Sequence, residues 1–104
     1  MTVPRFDGLI HSPTRLAIVS LLAASEWADF SYIRDTVELS DSALSKQLTT
    51  LEQAGYAEIR KGFMGKRPRT SARLTAQGRA AFEQHVAALQ QIVVRSGATI
   101  LPSG

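Results

Sequence analysis

Residues 31–55 read SYIRDTVELSDSALSKQLTTLEQAG, and the order of hydroxyls, leucines and glycine in this stretch decides the fold. Ser31 is a candidate N-cap, because a hydroxyl can accept a bond from a backbone N–H left unpaired at a helix start. Ile33 and Val37 follow four residues apart and share a helical face. Glu38-Leu39-Ser40 is too short to hold another element, and Leu39 within it is expected to point inward. Ser40 then caps a helix reaching about Ala54, with Leu44, Leu48 and Leu51 at i, i+4 and i+7 as one apolar stripe. Gly55 stands where a left-handed residue commonly ends a helix. Two helices joined by so short a turn make a helix-turn-helix.

On the helix after Ser40, the side opposite the leucines carries Ser42, Lys46, Thr49 and Gln53, flanked by Ser45 and Thr50. These are short or flexible hydrogen-bonding groups, suited to the major groove of a duplex, which an α-helix just fits. Recognition helices read bases mainly through their N-terminal residues, which ranks Ser42, Ser45, Lys46 and Thr49 above Gln53. Any surface helix is polar outside, so this face gains its weight from the basic segment downstream of it.

Tyr56-Ala57-Glu58-Ile59-Arg60 alternates apolar and polar, the period of a half-buried strand. Residues 62–69 are expected to form a turn-rich basic loop containing Gly62 and Gly65, and Thr70 to Leu74 to return as a second strand. Between Arg60 and Arg73 lie six basic residues and no acid, leaving six basic and nine acidic residues elsewhere, a net of −3. Such polarisation favours a polyanionic partner. Lys66, Arg67 and Arg69 are expected at the hairpin tip and Lys61 and Arg73 on its flanks, where cations neutralise phosphates without reading sequence. Thr75 caps a last helix over about 76–95, in which Phe82, Val86, Leu89 and Val93 step by 4, 3 and 4 residues, the spacing of a coiled-coil seam, broadened by Ile92.

Upstream, Ser12-Pro13-Thr14-Arg15 is a helix start. Leu16, Val19, Leu22 and Ala23, widened by Ile18 and Leu21, make the central core helix. Phe6, Leu9 and Ile10 before it form an apolar set, and the residues from Gly97 on read as a frayed tail. Trp27 and Phe30 are candidates for packing or a short strand. The chain of 104 residues supports one domain. It has no cysteine and only two histidines, His11 and His85, both read as structural, so neither a metal site nor a cofactor is expected. No glycine-rich phosphate loop points to an enzyme. No apolar run is long enough to cross a membrane and no signal-peptide pattern opens the chain, so a cytoplasmic protein is expected. The sheet with stacking aromatics typical of RNA binders is missing.

The ordered set of helix, short strand, helix-turn-helix, hairpin and long helix resembles the compact winged-helix regulators related to MarR and ArsR proteins. Leu74-Thr75-Ala76-Gln77-Gly78-Arg79 is similar to the Leu-Thr-x-x-Gly that opens the helix after the wing in MarR-like proteins. The resemblance covers roughly residues 9–93. It implies a mainly α fold with a small antiparallel β-hairpin, the wing. The expected division is one winged helix-turn-helix domain over 1–104, with the helix-turn-helix at about 31–55 and the wing at about 56–74. It also implies double-stranded DNA as partner, read by Ser42, Ser45, Lys46 and Thr49, and dimerisation through terminal helices. The cysteine-containing metal sites of many ArsR proteins are absent.

The apolar stripe Phe82, Val86, Leu89, Ile92 and Val93 must bury somewhere, either back on the chain's own first helix or against its twin about a two-fold axis, and its heptad-like step favours the twin, an independent argument for dimerisation. Sequence-specific regulation of transcription by a homodimer on a pseudo-palindromic operator is the reading these features support. A small apolar effector near Trp27, Tyr32 and the last helix is a further expectation. The competing reading is a winged helix used for protein–protein contact without DNA, since a fold alone does not settle function.

Overall fold

A computed structural model describes residues 7–97, which form α1 (Pro13–Ala23), β1 (Ala28–Asp29), α2 (Phe30–Val37), α3 (Asp41–Gln53), β2 (Ala57–Met64), β3 (Arg67–Leu74) and α4 (Ala76–Arg95). Phe6 and the tail beyond Gly97 lie outside the described residues. Ile18, Val19 and Leu22 of α1 are fully buried among Ile33 of α2, the three leucines of α3 and Ala72 and Leu74 of β3. This makes α1 the central helix, as its wide apolar face requires. Each such side chain contributes about 1.5–3 kcal/mol by leaving water.

Ser12 occupies the N-cap of α1 with Pro13 behind it, although its side chain makes no capping bond. The start of α2 differs from expectation. The cap position is Asp29, not Ser31, and neither side chain caps the helix. The Asp29 carboxylate instead accepts from Arg69 Nε at 2.8 Å and Ser71 Oγ at 3.4 Å across the sheet. Between α2 and α3, Glu38 adopts the left-handed conformation (φ 56°) and Leu39 N–H donates to Arg34 O. Leu39 packs half-buried against the core. Ser40 Oγ accepts from Ala43 N–H at 3.1 Å, the expected cap of α3. At the other end Tyr56 N–H reaches Leu51 O and Gly55 N–H reaches Glu52 O, the paired closure in which a positive-φ glycine (81°) ends the helix.

The sheet has the order β1-β3-β2 and is antiparallel throughout. The basic loop expected over 62–69 is for the most part strand. Gly62 pairs with Arg69, Phe63 with Pro68 and Met64 with Arg67, so only Gly65 and Lys66 turn the chain. Gly65 has φ 64° and Lys66 has no positive φ, the glycine-first pattern of a tight hairpin turn. Pro68 has no N–H for a ladder, and it lies where β3 has run past β1, whose pairing covers only Ser71 and Ala72.

The Leu74-Thr75-x-x-Gly78 motif acts as a weld. Thr75 Oγ1 accepts from Gly78 N–H at 2.9 Å and donates to Gly55 O at 2.6 Å, while Thr75 N–H donates to Tyr56 O at 3.1 Å. A Cβ on Gly78 would lie 2.1 Å from Tyr56 O, so only glycine lets α4 sit directly against the end of α3. A polar cluster adds a second tie that sequence spacing did not reveal. Asp7 Oδ1 accepts from the Leu9 and Ile10 amides, its Oδ2 accepts from Tyr56 Oη at 2.6 Å, and Asp7 N–H donates to His85 Nδ1 at 3.0 Å. His11 and His85, remote in sequence, have ring centroids 5.7 Å apart. No group of three metal-capable side chains converges among the described residues.

Candidate nucleic-acid interface

The outer face of α3 is built by subtraction: Leu44, Leu48 and Leu51 are consumed by the core, and Ser42, Ser45, Lys46, Thr49 and Gln53 are left exposed. All four residues selected from sequence therefore share one solvent-facing surface. Thr49 Oγ1 donates to Ser45 O at 2.9 Å, and Thr50 Oγ1 to Lys46 O at 3.0 Å. With its proton engaged, the Thr49 hydroxyl offers an outside group only acceptor lone pairs, beside its methyl. The helix is held from behind. Arg34 Nη1 bonds Asp41 Oδ1 at 2.9 Å while its Nε holds Asp35, contacts that keep its guanidinium still further above its ordinary pKa. Arg15 Nη1 donates to Gln47 Oε1 at 3.1 Å. Asp41 thus orients the N-terminal end of α3 through Arg34, a role beyond the helix-dipole effect alone.

Strand register sorts the basic residues of the hairpin onto two faces, because alternate residues point opposite ways and paired residues share a face. Lys61 lies with Ile59, Phe63, Pro68 and Thr70 on the α3 side. There it lines an open groove of about 580 Å³ with Ser42, Ser45 and Thr49, whose walls also include Asp41 and Glu52. Arg60, Arg67, Arg69 and Arg73 take the opposite face. Two of them are spent within the fold. Arg69, expected at the tip, lies inside β3 and pairs with Asp29 at 2.8 Å, and Arg73 pairs with Glu58 at 2.6 Å. Arg60 and Arg73 also stack on Trp27, 4.1 and 4.8 Å from its ring centroid. Lys46, Lys61, Lys66 and Arg67 have no ion pair among the described residues. Lys66 forms the turn and Arg67 begins β3 beside it, so these two are the true tip cations.

Reading 62–69 as a loop hid two further residues. Phe63 is 75% exposed and Met64 59%, placed there by a strand that continues past the core. Continuing the period-2 pattern through Gly62 is the signal that would have found them.

Of the stripe on α4, Phe82 packs half-buried against the chain's own core, and Val86, Leu89 and Val93 are half-buried. Ile92 is 54% exposed. The inward face of the helix is carried by Gly78, His85 and Ala88. The effector expected beside Trp27 and Tyr32 meets a different geometry. Tyr32 is exposed on α2, and the depression beside Trp27 is walled by Ser25, Glu26, Arg73, Leu74 and Arg79, without Tyr32. No helix among the described residues is long and apolar enough to cross a membrane.

Comparison with known proteins agrees with this architecture. An uncharacterized protein of Methanocaldococcus jannaschii is 30% identical over 84 residues, spanning 81% of this chain and 91% of the relative. A transcriptional regulator homologue from Pyrococcus horikoshii OT3 superposes with a TM-score of 0.79 at 25% identity, covering 85% of this chain and 87% of its own. YusO from Bacillus subtilis gives 0.70 at 26% identity, covering 84% and 62%. The family model for the winged helix DNA-binding domain matches residues 14–93, the span from the first turn of α1 to near the end of α4, and the chain belongs to that family.

Proposed function

We propose that the protein is a sequence-specific regulator of transcription that binds double-stranded DNA as a homodimer. The observation that carries this reading is the exposed face of α3, where Ser42, Ser45, Lys46 and Thr49 stand together beside a hairpin whose Lys61, Lys66 and Arg67 have no ion pair among the described residues. Lys46 and the two serines supply donors for base edges, and Thr49 supplies an acceptor and a methyl, the chemistry of major-groove readout. The hairpin cations supply phosphate or minor-groove contacts. Arg69 and Arg73 act from behind, bracing the wing through Asp29 and Glu58. MosR, a regulator of the same fold from M. tuberculosis, was solved in complex with DNA.

The dimer forms through α4, where Val86, Leu89, Ile92 and Val93 are left by the core for a second copy, with Phe82 at the edge of that contact. A two-fold pair of α3 helices then meets half-sites about 34 Å apart on a pseudo-palindromic operator. No effector beside Trp27 is included, because its ring is stacked under two guanidiniums and does not line an apolar cavity.

The test is fluorescence anisotropy with duplexes from upstream of the protein's own gene and with scrambled duplexes, across a salt series. Preference for one duplex by about 10³ or more, lost on Lys46→Ala or Thr49→Ala, is the expected result. No binding even at low salt would refute the proposal and leave the winged helix as a protein-docking module.

A further inference from the structure

The end of the hairpin is apolar where ordinary surface strands carry charge. Phe63 is 75% exposed and Met64 59%, and Phe63 faces Pro68 across the ladder on the α3 side, while Met64 and Arg67 share the other face. No core residue uses either side chain: the buried cluster ends at Ala57 and Ile59 on β2 and at Ala72 on β3. Around them stand Lys61, Lys66 and Arg67, without ion pairs among the described residues, and no acid occurs in sequence from Ile59 to Phe82. Asp29 lines the hollow beside Met64, Arg67 and Pro68 but is already paired with Arg69, and an apolar end flanked by these cations fits a partner that is polyanionic outside and apolar within. Duplex DNA has that make-up, with phosphates flanking stacked bases, whereas an apolar protein surface would leave the cations unanswered.

We propose that Phe63, backed by Pro68, is an apolar wedge that enters the minor groove, partly unstacks one base step and bends the DNA. This deepens the DNA-binding reading and rests on it. An undistorted minor groove is about 6 Å wide, while two strands lie about 4.8 Å apart before side chains are added. The hairpin end therefore enters only a groove that has opened. Side chains such as Phe, Met and Pro at a step do this and kink the duplex toward the major groove. The cost is lowest at TA and CA/TG steps, which unstack easily. Phe63 accordingly selects sequence at a position where no hydrogen bond reads a base.

The experiment uses the full chain and a short duplex enriched by the wild-type protein from a random-sequence pool, end-labelled for energy transfer. Companion duplexes carry 2-aminopurine at each position in turn. Wild type is expected to shorten the end-to-end distance and to brighten one 2-aminopurine position at a flexible step. Phe63→Ser is expected to lose both signals and about tenfold in affinity with the salt slope unchanged, since no phosphate contact is removed. Phe63→Leu, which keeps an apolar wedge, is expected to retain the bend. Phe63 is exposed, so circular dichroism of both variants should match wild type. Unchanged bend and affinity in Phe63→Ser, with Lys46→Ala still impaired, would overturn the wedge and leave the DNA reading standing. Loss of self-association by Phe63→Ser in place of loss of bending would overturn it in favour of a second copy. Failure of wild type to enrich any duplex would overturn both.

Discussion

Replacing Gly78 by alanine sets two effects of opposite sign against each other. Alanine is a better helix former than glycine by about 1 kcal/mol, so at an open site the change would stabilise α4. At Gly78 the added Cβ would meet Tyr56 O at 2.1 Å, Tyr56 C at 2.9 Å and Tyr56 Cα at 3.0 Å, all backbone atoms that cannot rotate away. Relief to an ordinary contact needs α4 to move by about 1 Å, an overpacking cost of about 1–3 kcal/mol. That displacement also stretches the Thr75 N–H bond to Tyr56 O and the Thr75 bond to Gly55 O, at about 1 kcal/mol for each bond. The net is a loss of about 3 kcal/mol, which for a domain of this size lowers Tm by about 12–24 °C. Thermal unfolding followed by circular dichroism measures it. Gly62→Ala, where nothing lies within 4 Å, is the control and should be neutral or slightly stabilising. A Gly78→Ala protein melting at or above wild type would refute the idea that this glycine holds α4 against the end of α3.

Stability should also depend on pH through His85, whose proton affinity is pushed down by burial and by His11, with Asp7 opposing. The unfolded chain then binds a proton that the fold rejects, so stability is intact above about pH 6.5 and falls as pH drops below it; denaturant titrations at pH 7.5 and 5.5 should show this, with a smaller difference in His85→Gln. Burial alone would raise the Asp7 pKa, but bonds from Tyr56, Ile10 and Leu9 and the charge of His85 hold it below the ordinary aspartate value, so its contribution is present at neutral pH and lost only on strong acidification. Ile92→Glu should leave the melting of the monomer fold unchanged and shift the mass in light scattering from dimer to monomer, and an unchanged dimer would remove α4 as the interface. Arg67→Ala should lower DNA affinity across all sequences and reduce the salt slope by about 1. Arg69→Ala, already paired with Asp29, should weaken binding less, and equal losses would show that the Asp29 pair opens on DNA.

Much of the architecture was legible because it is written in short-range periodicity. The leucine stripe of residues 44, 48 and 51, the caps at Ser40 and Thr75 and the glycine at position 55 each act within a turn or two of their own helix. The exposed face of α3 follows from the same stripe, since whatever the leucines do not occupy must face outward. The hairpin was legible as a hairpin, but its length was not. Two glycines, a proline and a run of cations look like a loop, and only pairing with the opposite strand keeps Gly62 and Pro68 extended.

Local patterning alone settles the order of elements, the side each helix buries and the concentration of positive charge between Arg60 and Arg73. Tertiary structure alone decided which of those charges face outward unpaired. Arg69 meets Asp29 across forty residues of chain, and Arg73 finds Glu58 through strand register. Likewise Asp7, Tyr56 and His85 come together from three distant segments. The reason is physical: helix faces and caps are set by neighbours along the backbone. An ion pair or a buried histidine is set by whatever the folded chain brings within about 3 Å, and no local period encodes that partner.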